Sequence, residues 1–297
     1  MQNIEKKKTV KRVSLAGESI MNTIFFLCGS ITVLAVVFIT IYMFIAGTPA
    51  IFEIGLSDFL FGQVWKSTGK NPSYGILPFI LTSIYGTIGA IIIGVPIGIL
   101  TAVYLSKMAN NRIATILRSA IEILASIPSV VYGLIGMMVL VPFVMNAFNL
   151  PSGATLFAAI IVLAIMILPS IISISETALL AVPPEWEECS LALGANKIET
   201  IFKVSIPAAK SGIAAGIVLG VGRAIGEAMA VMMISGNVAN MPKLFSSVKF
   251  LTTAVASEMS YASGLQEKAL FSIALVLYLF IMLINWVLNR FLKKERS

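Results

Sequence analysis

The sequence has no histidine and only two cysteines, Cys28 and Cys189, which fall in different segments and give no ground for a pairing. A metal site of the usual nitrogen and sulfur ligands is therefore not indicated. Charge is also scarce. Only 12% of the 297 residues are charged, where a soluble domain carries about a quarter. No GxxxxGK[ST] loop is present, so any energy from a nucleotide has to come through another subunit. No span carries paired acids and no nucleophile stands beside a base, which argues against an enzyme of the membrane. What fills the chain instead is apolar: 58% of its residues are hydrophobic. The composition is that of an integral membrane protein.

The apolar runs predict an all-α protein with six transmembrane helices, over residues 23–46, 74–105, 120–145, 154–173, 211–235 and 269–292. Each is long enough as a helix for the hydrocarbon core, about 30 Å thick. The first run is too long for a signal-peptide core and lacks a small-x-small cleavage site, so it reads as an uncleaved span. Residues 1–21 form a basic N-terminus, residues 22–292 the membrane unit, and residues 293–297 a short tail. The second span is rich in glycine and carries Pro96, which suits close helix packing and a kink. In the third span Pro128 frees a backbone carbonyl. Ser126 and Ser129 beside it either restore the broken ladder or face a polar path.

The +7 net charge suggests a membrane surface rather than nucleic acid, because of where the cations lie. With the N-terminus inside, Lys66, Lys70, Lys243, Lys249 and Lys268 fall outside and Arg223 falls within a span. The other lysines and arginines all fall in cytoplasmic segments, as the positive-inside rule demands, so both termini are expected in the cytoplasm.

Residues 183–207, PPEWEECSLALGANKIETIFKVSIP, are a polar island between two apolar runs. Pro183 and Pro184 stop the preceding helix, and residues 185–193 suit a short helix with acids in its first turn. Gly194 suits a left-handed helix end. A second helical piece, 197–204, is expected to stop at Pro207. The fifth span then holds the only charges deep in any span, Arg223 and Glu227. Arg223 lies about 20 Å along a helix from Lys210, near the bilayer midplane. Glu227, four residues on, is expected on the same face and paired with it.

The polar island resembles the cytoplasmic EAA loop of ABC-importer permeases, with Glu188, Gly194 and Pro207 at the matching places. Cys189 and Ser190 replace the two alanines, and Val204 and Ile206 the Ile-x-Leu pair. GVGRAIGEAMAVMMISGN from Gly220, YGILPFILTSIYGT from Tyr74 and IEILASIPSVVYGL from Ile121 are similar to the PstC type of phosphate importer permeases. The Gly226-Glu227-Ala228-Met229-Ala230 run separates it from the PstA type, which has Gly-Glu-Thr-Ala-Pro.

That resemblance implies a type I ABC importer permease fold with a cytoplasmic coupling helix. The chain would be a non-enzymatic transport subunit in a bacterial cytoplasmic membrane, carrying inorganic phosphate across it. It would pair with a PstA-like permease, two copies of a PstB-like ATPase and an extracytoplasmic phosphate-binding protein. It would bind no cofactor itself, ATP being used by the partner ATPase, and membrane lipid would surround it. Arg223, Glu227, Ser126 and Ser129 would line the path. Glu187, Glu188, Leu193, Gly194, Ala195 and Pro207 would couple it to the ATPase. The competing readings are a permease for another oxyanion, such as molybdate or sulfate, and a proton-coupled secondary transporter using Arg223 and Glu227.

Overall fold

The computed structural model describes residues 2–67 and 71–294; the side chains of residues 2–16, 288–289 and 291–294 lie outside that description. The expected basic N-terminal cluster and the whole of the tail at 293–297 therefore fall outside the described side chains. Among the described residues the regular structure is helical apart from one two-stranded sheet and an isolated bridge between Gly236 and Val248. In chain order the elements are α1 (Gln2–Ile54), α2 (Leu56–Phe61), β1 (Trp65–Lys66), β2 (Ser73–Tyr74), α3 (Leu77–Val103) and α4 (Asn111–Ser126). Then follow α5 (Ser129–Ile135), α6 (Val141–Ala147), α7 (Leu156–Leu180), α8 (Pro184–Ala192) and α9 (Lys197–Thr200). The chain closes with α10 (Ile206–Gly226), α11 (Met229–Ile234), α12 (Leu251–Glu258) and α13 (Leu265–Lys294). The π turn Tyr104–Met108 prolongs α3, whereas the π turns Gly136–Leu140 and Ile201–Ser205 join α5 to α6 and α9 to α10 end to end.

Six helical stretches among the described residues are long and apolar enough to cross a membrane: Gly17–Ile54, Leu77–Met108, Ser129–Ala147, Leu156–Leu180, Lys197–Gly226 and Leu265–Val287. The helix is forced on such sequences, since lipid offers no partner for a free backbone amide. Side-chain hydroxyls are absorbed the same way. Thr40, Thr48, Thr101 and Thr177 each donate to the carbonyl four residues back, at 2.8 Å.

α7 is the hub. In its membrane-length window 61% of residues are buried, against none in that of α1. It packs along α3 on one side and α10 on the other. Ile171 is wedged between the two neighbours. A Cβ built on Gly98 of α3 would come within 2.7 Å of its Cγ2, and one on Gly220 of α10 within 2.9 Å of its Cγ1. Only residues without side chains let both helices approach α7 this closely. α1 packs instead against α13 and leaves Phe25, Phe26, Leu34 and Phe38 exposed.

Three differences from the sequence reading bear on function. The third span does not run unbroken from residue 120: α4 ends at Ser126, Ile127 and Pro128 are extended, and α5 begins at Ser129. The proline cannot donate to the ladder and pushes its predecessor out of helical geometry. Nor does Pro207 stop a helix. Lys197–Gly226 is continuous, because the π turn at Ile201–Ser205 and the position of Pro207 in the first turn of α10 accommodate the ring. Finally, the fifth span is not a single helix from 211 to 235. It breaks at Glu227, which is extended (φ −71°, ψ 123°), before α11 begins.

Candidate functional site

Two places in the fold hold most of the residues that the sequence singles out. The first is the end that carries α8. Pro184 opens this helix, where its missing N–H costs nothing, and Glu185 and Glu187 fill the first turn. Its far end is a Schellman motif: the Gly194 amide donates to the Leu191 carbonyl at 3.0 Å and the Ala195 amide to that of Ser190 at 3.2 Å. Gly194 has φ +92°, as that motif requires. The next residue but one starts α9 with a full capping box. Asn196 Oδ1 accepts from the Glu199 amide at 2.9 Å, and Glu199 Oε2 from the Asn196 amide at 3.0 Å. The Ser190 and Thr200 hydroxyls, 2.9 Å apart, clip the two helices together.

The six residues assigned to this region divide into two groups. Glu188, Leu193, Gly194 and Pro207 are exposed, and Ala195 is half-buried. Leu193 is 89% exposed, with Trp186 and Leu191 uncovered beside it, and α8 buries no residue against the chain. Glu187 points the other way. Its Oε1 accepts from Ser205 Oγ at 2.8 Å and forms an ion pair with Lys107 Nζ at 2.5 Å. It therefore ties α8 to the π turns at the end of α3 and at the base of α10.

The second place is a cleft of about 510 Å³ bordered by α7, α10 and α13. Ser170, Val218, Leu219, Gly222, Arg223 and Asn285 line it. The three polar members come from three different helices, and none of them makes a hydrogen bond or ion pair with another described residue. The expected Arg223–Glu227 pairing is absent among the described residues. The break after Gly226 takes Glu227 off the helix face, and its Oε1 instead accepts the Ala230 amide at 3.0 Å. The Glu227 carbonyl accepts from Thr252 Oγ1 at 2.8 Å, which fastens the break to the start of α12.

Ser126, Ser129 and Glu227 do not line this cleft. Ser126 Oγ donates to the Ile123 carbonyl at 2.7 Å, and the Tyr132 hydroxyl donates to that of Leu124 at 2.7 Å. The carbonyls left open before Pro128 are thus satisfied locally, so Ser126 closes the ladder.

The sequence reading passed over several polar residues that the fold uses. Arg118 Nε pairs with the buried Glu176 at 2.7 Å, joining α4 to α7. At the opposite end Glu258 gathers Lys249 Nζ, Trp65 Nε1 at 3.1 Å and Gln266 Nε2 at 3.1 Å. Glu176 was detectable as a lone acid in an apolar run. The Glu258 cluster was not, because Trp65 stands 193 positions away from Glu258.

Residues 94–297 match the model of the family described as binding-protein-dependent transport system inner membrane component. A probable ABC transporter permease protein, YqgH, of Bacillus subtilis is 40% identical over 89% of this chain and 88% of its own. The phosphate transport system permease protein PstC of Pasteurella multocida is 35% identical over 75% of this chain and 77% of its own. Among solved structures, a bacterial alginate ABC transporter aligns with 90% of this chain and 92% of its own at TM-score 0.59 and 14% identity. The MetNI methionine ABC transporter aligns with 74% and 94% at TM-score 0.55 and 21% identity. At those identities the two structures speak for the fold, that of a type I ABC importer permease.

Proposed function

Since this chain belongs to the family of binding-protein-dependent transport system inner membrane components, we propose that it is the PstC-type permease subunit of an ATP-driven importer of inorganic phosphate. The observation that carries this reading is Arg223, a cation inside the fifth span that lines a cleft with Ser170 and Asn285 and has no partner acid among the described residues. An unpaired charge at membrane depth costs at least about 2.5–3.5 kcal/mol on insertion scales. Such a residue is retained when the site needs it. A guanidinium offers a planar fork of donors matched to phosphate oxygens. Glu227, one residue beyond the end of α10, lowers the local positive potential without occupying the fork, so that the anion can leave.

In this reading the chain pairs with a PstA-like permease, which covers the apolar faces of α1, α4 and α5 left open here. Two PstB-like ATPases sit beneath and hydrolyse the ATP, one of them taking the exposed face of α8 around Trp186, Glu188 and Leu193. An extracytoplasmic phosphate-binding protein meets the α12 end. The α8 end and both termini then lie in the cytoplasm, and the protein works in the bacterial cytoplasmic membrane. Support comes from the relatives named PstC and from the positive-inside distribution of Lys and Arg.

The test is uptake of labelled phosphate by proteoliposomes holding the whole complex, with unlabelled phosphate, molybdate or sulfate as competitors. Competition by phosphate alone is the expected result. Preferential competition by molybdate or sulfate would reassign the substrate, and uptake without ATP would reassign the transporter class.

A further inference from the structure

The cleft beside Arg223 has two other polar walls, Ser170 on α7 and Asn285 on α13. Both sit in helices long and apolar enough to cross a membrane. Both are half-buried, and neither hydroxyl nor carboxamide finds a partner among the described residues. Several threonines of the spans fold their hydroxyls back, whereas Thr82 on α3 and Ser175 on α7 are, like Ser170, without a partner among the described residues. Thr101 and Thr177, on α3 and on α7 itself, bond the carbonyl four residues behind them at 2.8 Å. Ser170 does not take that ordinary exit. A serine, an asparagine and an arginine from three helices thus leave their polar groups on one space of about 510 Å³, where lipid supplies no hydrogen bond. That volume is room for a tetrahedral oxyanion and several waters, each water taking about 30 Å³.

We infer that Ser170 and Asn285 are specificity-determining contacts of the anion held by Arg223. This rests on the reading of Arg223 as a phosphate ligand. The reason lies in donor and acceptor inventory. Arg223 is a donor only. Near neutral pH inorganic phosphate still carries a P–OH, which needs an acceptor that no arginine provides. Asn285 Oδ1 and Ser170 Oγ supply acceptors, while the Asn285 amide and the Ser170 hydroxyl serve the remaining oxygens as donors. An anion without a proton, such as sulfate, leaves those acceptors facing lone pairs. A site built to bond a polar group rejects the analogue lacking it far more strongly than charge alone does.

The experiment uses the complete transporter in proteoliposomes, with labelled phosphate and increasing amounts of phosphate-loaded binding protein. Ser170→Ala should lower the maximal uptake rate about threefold and Asn285→Ala about tenfold, the effect of losing one or two hydrogen bonds in the passing state. The amount of loaded binding protein giving half the maximal rate, the recovery of the complex and its basal ATPase rate should stay unchanged. Ser170→Thr, which keeps the hydroxyl, should restore the rate. Asn285→Asp, equal in shape, should fall below Asn285→Ala because its carboxylate occupies Arg223. A merely structural asparagine would tolerate the isosteric change. Wild-type rates in both alanine variants, with Arg223→Gln inactive, would overturn the inference and leave the Arg223 reading standing. Wild-type rates in Arg223→Gln as well would remove both. Loss of a co-purifying phospholipid from the alanine variants, with uptake intact, would make the cleft a lipid headgroup site and overturn the inference too. Should Asn285 variants fail to assemble, the Ser170→Ala and Ser170→Thr pair decides alone.

Discussion

Glu187 stands 2.5 Å from Lys107, and through that contact the polar helix α8 is fastened to the end of α3. The same carboxylate oxygen takes the Ser205 hydroxyl at the base of α10. One acid therefore joins the helix proposed to meet the ATPase to two of the spans that flank α7. Removing one partner of such a half-buried pair leaves the other charge poorly solvated.

Glu187→Ala should leave the subunit in the membrane but reduce phosphate moved per ATP hydrolysed several-fold. Glu187→Gln, which still accepts from Ser205, should lose less. Local stability should fall by about 1–3 kcal/mol, the cost of an unmatched buried polar partner. Simultaneous assays of uptake and ATPase rate on the reconstituted complex check this. An unchanged ratio in Glu187→Ala takes the contact out of the relay.

Gly194 offers a cleaner separation of causes. A Cβ there meets nothing within 4 Å, so space is not what selects glycine. The φ of +92° is. Gly194→Asn, which tolerates left-handed backbone, should retain most of the coupling. Gly194→Val should cost about 1–2 kcal/mol in backbone strain, unwind the turn and uncouple ATP hydrolysis from uptake. Equal behaviour of the two variants in the same assays would mean the turn geometry is not used.

Arg223→Gln should abolish phosphate uptake while the complex still assembles. Arg223→Lys, a point charge without the fork, should keep only a fraction of the rate. Co-purification of the subunits and labelled uptake are the two measurements. Assembly lost in Arg223→Gln would give the residue a packing role, and full uptake would remove it from the path.

Sidedness follows from thiol labelling after Cys28 and Cys189 are replaced by serine. Lys243→Cys, in the exposed segment before α12, should react with an impermeant reagent on intact cells. Asn110→Cys, at the start of α4, should react only once the membrane is opened. The reverse pattern overturns the orientation with both termini inside.

How much of this was legible in the sequence depends on whether the deciding force is local. Length and hydropathy announce the spans because lipid acts on each segment by itself. Gly194 announces its turn because the need for positive φ is a property of one residue. Pro207 misled for the opposite reason. A proline in the first turn of α10 is harmless when a π turn precedes it, and nothing local in IFKVSIP signals that turn. The break at Glu227 was hidden likewise, since it is held by the Ala230 amide and by Thr252, the latter 25 positions away. Glu187 and Glu188 are adjacent and chemically identical. Only the approach of Lys107 and Ser205 turns one inward and leaves the other out.

The continuity of the fifth span through Pro207 has a mechanical consequence. From Lys197 to Gly226 the backbone is one stiff lever of 30 residues, about 45 Å long. Its short arm carries the capped turn against α8, and its long arm ends a few residues past the guanidinium. With the pivot near Ile206, Arg223 lies about 26 Å along the long arm, so a tilt of about 5° swings it sideways by roughly 2 Å, enough to part a hydrogen bond. Beyond Gly226 the joint at Glu227 lets the outer segment stay behind with α12. On the proposed reading of Arg223 as the anion's ligand, a small angular input at one membrane face becomes gripping and letting go of that anion in the interior, with no signal passed from side chain to side chain.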